Sequence, residues 1–234
     1  MVITAILNKA GRQVIDLLFP PRCAVCGSLE AFLCDRCAAS LPVASLPRCP
    51  VCWQPTADGE CRKCQKAPPA FAALRCPYVF KEGVREVVHG LKYQHQSVLA
   101  APMAELLHRF LADNPLPADV IVPVPLFPRR RRVRGYNQSA LLAHALARHL
   151  RLPVDERTLA RTRNTASQAR TGKADERKFN VREAFACRGD ALTGKTVLLL
   201  DDVTTTGATL DACAHALREA GVASVRALTF ARED

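Results

Sequence analysis

The chain changes texture twice along its length. Between residues 3 and 18, the apolar positions Ile3, Ile6, Leu7, Ala10, Val14, Leu17 and Leu18 recur every three or four residues, with Asn8, Lys9, Arg12 and Asp16 between them. That spacing predicts a short amphipathic helix, over residues 1–20, that packs on the rest of the protein. After Cys64 comes Gln65-Lys66-Ala67-Pro68-Pro69-Ala70, polar and then rich in proline, which reads as a linker. From Phe71 onward, strand-like and helix-like patterns alternate. Residues 73–80 read as extended, and 83–93 as a helix with Val84, Val87, Val88 and Leu91 on one face. A second helix follows at 97–111, and the short β-branched run 120–125 reads as a buried strand. An apolar helix at 139–150, a buried strand at 197–200, a helix at 209–220 ended by Gly221, and a strand at 225–230 complete the pattern. This alternation predicts a mostly parallel α/β sheet flanked by helices. The functional loops of such a sheet lie beyond the carboxyl ends of its strands.

Composition narrows the classes. Among 234 residues, 49% are hydrophobic and 24% charged, the balance of a folded globular chain. No apolar stretch approaches the length of a membrane-crossing helix. The N-terminal run has no basic leader and is interrupted by charge, so it does not read as a signal peptide. The expected compartment is therefore the cytoplasm, with no membrane insertion. Lys and Arg number 33 against 22 Asp and Glu, a formal charge of +11, which suits phosphate-bearing partners.

Eight of the 11 cysteines form four Cys-x-x-Cys pairs: Cys23/Cys26, Cys34/Cys37, Cys49/Cys52 and Cys61/Cys64. Two thiolates separated by two residues can turn around one metal ion, and two such knuckles complete a tetrahedral site. A disulfide framework would need an oxidising compartment, and a redox motif would explain one pair and not four. The reading is two structural Zn²⁺ sites in a double ribbon over residues 21–66. Pairing is open at this point: sequential (first knuckle with second, third with fourth) or interleaved. Eight thiolates leave no open position on two ions, and a segment this short has too little core to fold unaided. Cys76, Cys187 and Cys213 read as small buried hydrophobes.

The most informative stretch is Val197-Leu198-Leu199-Leu200-Asp201-Asp202-Val203-Thr204-Thr205-Thr206-Gly207-Ala208-Thr209. A buried strand delivers two carboxylates to its end, and a hydroxyl-rich turn leads into a helix. The helix start offers unpaired N–H groups and partial positive charge, which suit a phosphate. Thr205, Thr206 and Thr209 add hydroxyls, and Gly207 lets the main chain approach closely. Asp201 and Asp202 would repel a phosphate but accept well from sugar hydroxyls. A phosphate beside a diol describes a ribose 5-phosphate. The whole string resembles the phosphoribosyl-pyrophosphate (PRPP) loop of the type I phosphoribosyltransferases.

Two further stretches fit. The end of the 120–125 strand is followed by Arg129, Arg130, Arg131, Arg132 and Arg134, whose guanidinium forks can neutralise a pyrophosphate, or equally form a solvated basic face. Residues 161–172 read as a polar, basic, mobile loop able to close over a phosphorylated substrate, or as an ordinary surface loop. On the helix at 83–93, Lys92 is a further candidate phosphate contact, with His89 and His95 nearby.

Four Cys-x-x-Cys pairs, then Arg134-Gly135-Tyr136-Asn137-Gln138-Ser139, then the Asp201–Thr209 string, occur in one order. Together they resemble the ComF family over nearly the whole chain, from Leu17-Leu18-Phe19-Pro20-Pro21-Arg22-Cys23 to the last strand. The resemblance implies a double zinc ribbon joined to a type I phosphoribosyltransferase-like domain, here residues 71–234. It implies a cytoplasmic role in handling incoming single-stranded DNA during natural transformation, or in using DNA as a nutrient, with other DNA-uptake proteins as partners of the zinc domain. By the same likeness, Asp201 and Asp202 match the ribose-contacting acids of the catalytic site, Thr204, Thr205, Thr206, Gly207, Ala208 and Thr209 the 5-phosphate cradle, and Tyr136-Asn137-Gln138 the aromatic-Asn-Gln element. Arg132 and Arg134 are the candidate pyrophosphate contacts, with Mg²⁺ arriving as a PRPP complex. No motif names an acceptor base. Beside pentosyl transfer, two readings therefore stand: a non-catalytic single-stranded nucleic-acid-binding adaptor, and a regulator that senses PRPP.

Overall fold

The computed structural model describes residues 20–29, 31–93, 96–163 and 183–234. The helix expected over 1–20 therefore lies almost wholly outside the described residues, as do His95 and most of the expected 161–172 loop.

The first 50 described residues are held by short elements built around cysteine. Helix α1 (Asp35–Ala39) starts directly after Cys34 and carries Cys37, and helix α2 (Arg62–Lys66) starts after Cys61 and carries Cys64. Cys34 and Cys61 both adopt extended backbone at the helix N-cap, so one thiol precedes each helical turn and its mate rides on it.

The 73–80 segment forms two short strands, β1 (Ala73–Arg75) and β2 (Tyr78–Val79). Helix α3 (Glu82–Tyr93) buries Val84, Val87, Val88 and Leu91, the face the periodicity predicts. After a 3₁₀ turn, α4 (Ala100–Asp113) buries Met103, Ala104, Leu107 and Leu111. All four residues of β3 (Val120–Pro123) are buried. The arginine run, to which the sequence reading assigned no element, is a seven-residue helix, α5 (Pro128–Arg134), with proline in its first turn and Gly135 closing it at φ +82°. Those are ordinary helix start and stop signals. Helix α6 (Gln138–Leu150) is N-capped by Asn137, whose side chain accepts from the Ser139 N–H. Two three-residue strands, β4 (Leu159–Arg161) and β5 (Phe185–Cys187), pair antiparallel. Arg161, placed in a loop by the sequence, is thus the last residue of a strand. The domain ends with β6 (Thr196–Thr204), α7 (Ala208–Glu219) and β7 (Ser224–Arg232).

The main sheet runs β1-β7-β6-β3, with β2 also paired to β7, and every pairing is parallel. Side chains of a strand alternate between faces, and β6 divides the core accordingly. Leu198 and Leu200 join the cluster of α3, α4 and α6, whereas Val197 and Leu199 join that of α7 and the β4–β5 pair. Each such buried side chain contributes roughly 1.5–3 kcal/mol. Cys76 and Cys213 are buried in this core, as expected for small hydrophobes, whereas Cys187 at the end of β5 is only half-buried.

Strand β6 is longer than the apolar run alone predicts. Its ladder with β7 continues through Asp201↔Thr229, Val203↔Ala231 and Thr204↔Arg232. The two acids consequently sit on a strand and not on a turn, and that determines where each one points.

Candidate functional site

The thiols gather into two sets, Cys23, Cys26, Cys34 and Cys37 in one, and Cys49, Cys52, Cys61 and Cys64 in the other. Within each set, all four sulfur atoms lie within 4.8 Å of one another. Pairing is therefore sequential, and the interleaved alternative is excluded. A tetrahedral shell of four thiolates is the donor set that Zn²⁺ prefers. Amides already point at it: the Cys34 N–H reaches Cys23 Sγ at 3.5 Å and the Cys61 N–H reaches Cys49 Sγ at 3.4 Å.

At the far end of β6, the acids diverge. Asp202 is 2% exposed and turns to the α3 and α6 side. Lys92 Nζ lies 2.5 Å from its Oδ2, an oxygen with no other hydrogen-bond partner among the described residues. Gln138 Nε2 donates to its Oδ1 at 3.3 Å. A buried carboxylate needs such compensation, so Lys92, a candidate phosphate contact on sequence grounds, is instead the counter-ion of Asp202. Asp201 is half-buried and accepts from Ser139 Oγ at 2.7 Å. Its carboxyl is pushed up to about 7, first by burial and then by the Asp202 charge, against the opposing pull of Ser139 and Lys92. Gln138 and Ser139 both belong to the first turn of α6, so one helix start orients both acids.

Thr204, the last residue of β6, is buried, and the passage from there into α7 buries Gly207 and exposes Thr205, Thr206 and Ala208, with Thr209 half-buried. Gly207 is the N-cap of α7 at φ +81°, a conformation that a side chain would strain. A Cβ there would meet only the Phe71 ring, at an ordinary contact distance of 3.9 Å, so the backbone conformation and not crowding requires the glycine. Thr206 Oγ1 accepts from the Ala208 N–H at 3.4 Å. Exposed hydroxyls and first-turn amides thus share one rim, four residues beyond Asp201 along the chain.

Helix α5 presents Arg129, Arg130, Arg131 and Arg132 to solvent. A cavity of about 400 Å³ beside it is lined by Leu126, Pro128, Arg131, Arg132 and Gly135. Arg134 behaves differently: its guanidinium donates to Gln138 Oε1 at 2.5 Å and stacks over the Tyr93 ring at 4.9 Å. It therefore closes a relay, Arg134–Gln138–Asp202–Lys92, that ties α5 to the acids. Tyr136 donates to the Leu91 carbonyl at 2.5 Å, and Asn137 Nδ2 to the Val124 carbonyl at 3.0 Å. The aromatic-Asn-Gln element accordingly braces the strand ends. Arg161, which the sequence reading took only as the first residue of the 161–172 loop, has a guanidinium pKa lowered by burial and by Arg130 while Asp201 opposes the shift. The charges of Arg130 on α5 and Asp201 on β6 are thus both felt at the end of β4.

Among the described residues, no helix is long and apolar enough to cross a membrane. The phosphoribosyl transferase domain model matches residues 137–234, and the double zinc ribbon model matches residues 14–68. The DNA utilization protein YhgH of Salmonella typhi is 34% identical over 86% of this chain and 90% of its own length. Competence protein F of Haemophilus influenzae is 31% identical over 86% of this chain and 90% of its own. Among solved structures, the glutamine PRPP amidotransferase of B. subtilis is similar at a TM-score of 0.42 and 21% identity, over 60% of this chain and 30% of that one. With two four-cysteine clusters followed by a parallel sheet that ends in this acid and threonine string, and with relatives matched along nearly their full length, the chain belongs to the ComF family of double-zinc-ribbon, phosphoribosyltransferase-domain proteins.

Proposed function

We propose that the C-terminal domain holds PRPP, brought in with Mg²⁺, and transfers its ribose 5-phosphate group in a cytoplasmic step connected with DNA uptake or the use of DNA as a nutrient. The observation that carries this reading is the passage from Asp201, half-buried in the last half of β6, through exposed Thr205 and Thr206 into the first turn of α7. Asp201 is placed to accept from a ribose hydroxyl. The threonine hydroxyls, first-turn amides and Gly207 are suited to the 5-phosphate. Arg131 and Arg132, facing the cavity beside α5, suit the pyrophosphate.

The carboxylates do not offer Mg²⁺ a protein-made shell, because Asp202 is committed to Lys92 and Gln138. They fit a Mg²⁺ carried on the oxygens of PRPP, where it would offset the charge of the departing pyrophosphate. The eight clustered thiols fit two structural Zn²⁺ ions, a use of cysteine that suits a reducing compartment such as the cytoplasm. The relatives' names, DNA utilization protein and competence protein, support the link to DNA.

Titration calorimetry with PRPP and Mg²⁺ tests the pocket, with wild type expected to bind and Asp201→Asn to lose most of that affinity. Equal binding by both would defeat the assignment. Release of pyrophosphate with a panel of bases would mark transfer, and binding without release would mark a PRPP sensor. The exposed arginines of α5 favour one second reading, a single-stranded DNA adaptor, in which DNA affinity drops steeply with salt and is indifferent to Asp201→Asn.

A further inference from the structure

The zinc ribbon reaches the candidate phosphate turn. Lys63 sits on α2 between the ligands Cys61 and Cys64, and its Nζ donates to the Thr206 main-chain carbonyl at 3.0 Å, across 143 residues of sequence. Both residues are exposed, so the contact lies at the rim of the turn and not beneath it. The linker that follows α2 continues the same seam: the Ala70 N–H donates to Asp211 Oδ1 at 2.7 Å, and the Phe71 ring lies under Gly207. The ammonium is therefore held in register with the start of α7 by a metal-fixed helix on one side and by the linker on the other.

An ammonium carries three donors, and a neutral carbonyl compensates its charge poorly. Among the described residues Lys63 has no carboxylate partner, in contrast to Lys92, which is neutralised by Asp202. The 204–209 turn itself contains no basic residue. A cation placed beside an otherwise uncharged cradle, with donors to spare, is suited to a dianionic group settling on the threonine hydroxyls.

We infer that Lys63 is a phosphate-binding residue of this turn, so that the second zinc ribbon completes the substrate site. The inference rests on reading 204–209 as the 5-phosphate cradle. It gives the second metal site a purpose beyond folding: the ion fixes the helix that aims the lysine.

The test is calorimetry of ribose 5-phosphate, and separately of PRPP with Mg²⁺, on the full zinc-loaded chain and its Lys63→Ala, Lys63→Met and Lys63→Arg variants. Zinc content and the fluorescence of Trp53 establish that each variant is folded, and Lys63→Met keeps the aliphatic stem should Lys63→Ala fail to fold. Charge removal is expected to weaken ribose 5-phosphate binding about tenfold, with the deficit shrinking as salt rises. Lys63→Arg is expected to stay within about twofold of wild type, which a purely structural role would not require. Wild type binding both ligands with Lys63→Met unchanged would overturn this inference and leave the pocket standing. Wild type binding neither ligand would overturn the pocket itself and this inference with it.

Discussion

At the scale of single residues, two adjacent aspartates have acquired different jobs because a strand sends neighbours to opposite faces. Asp202 is an internal anion, with its burial compensated by Lys92 and Gln138. Lys92→Met is expected to destabilise the fold by about 3–5 kcal/mol, because it leaves a buried carboxylate unpaired. Asp202→Asn in the same background should recover much of the loss, and chemical denaturation of the two single variants and the double variant checks the pair. Under the proposed function, Asp201 is the acid that reads the ligand. With its carboxyl pushed up to about 7, it is protonated below that pH and can accept fully only above it. PRPP affinity should therefore rise between about pH 6 and 8, and the rise should flatten in Asp201→Asn. Comparing the two proteins cancels the titration of the ligand's own phosphate, near pH 6. A parallel rise in both would remove Asp201 from the site. The acid pair was legible in the sequence as chemistry. Its division of labour was not, since the apolar run of β6 stops at Leu200 and nothing local announces that the β7 ladder continues to Thr204.

At the scale of elements, apolar periodicity placed α3, α6 and α7 within one residue and α4 within three, the expected start of α4 at Ser97 being a 3₁₀ turn. It failed where elements are short or polar. Strands β4 and β5 have three residues each and are paired across a long intervening segment, so no window held enough alternation to reveal them. Helix α5 has no buried residue, and its only signals were Pro128 at the start and Gly135 at the end, which the arginine run obscured. That exposure leads to an expectation. Arg132→Ala should leave thermal stability within about 0.5 kcal/mol of wild type, yet weaken pyrophosphate binding measured by calorimetry. Arg134→Ala should disturb both, because its guanidinium also orients Gln138. The knuckles were the most legible elements of all, four identical spacings needing no tertiary information except their pairing. Elemental analysis should return about two zinc ions per chain, and Cys49→Ser should lower the value toward one.

At the scale of the whole molecule, a ribbon and a sheet that read as separate units joined by a linker share buried chemistry. Trp53 belongs to the second ribbon but joins the core cluster that holds Leu74 and Val225, with its indole N–H donating to the Cys76 carbonyl at 2.6 Å. Arg232, at the end of β7, donates to the Cys52 carbonyl at 2.8 Å. Arg48 grips Asp234 through both guanidinium nitrogens at 2.9 and 2.8 Å, and also donates to the Trp53 carbonyl. None of this could be read along the chain, because residues 48 and 234 have nothing in common but their final position. The Arg48 side chain is 3% exposed and that of Asp234 21%, so removing the acid strands a nearly buried cation. Asp234→Ala is expected to cost about 2–3 kcal/mol. The loss should appear in the unfolding of the entire chain, followed by Trp53, the single tryptophan. The pH dependence has a definite sign. The Arg48 hydrogen bonds hold the Asp234 carboxyl below its ordinary value of 3.8, so the folded state keeps it ionised where the unfolded chain takes up a proton. The contribution is complete above the unfolded value and disappears as pH falls through the lower folded one. Wild type and Asp234→Ala should accordingly differ most at neutral pH and converge in strong acid. A constant gap across that range, or a separate early transition of the ribbon in wild type, would mean that the pair does not bind the two parts into one cooperative unit.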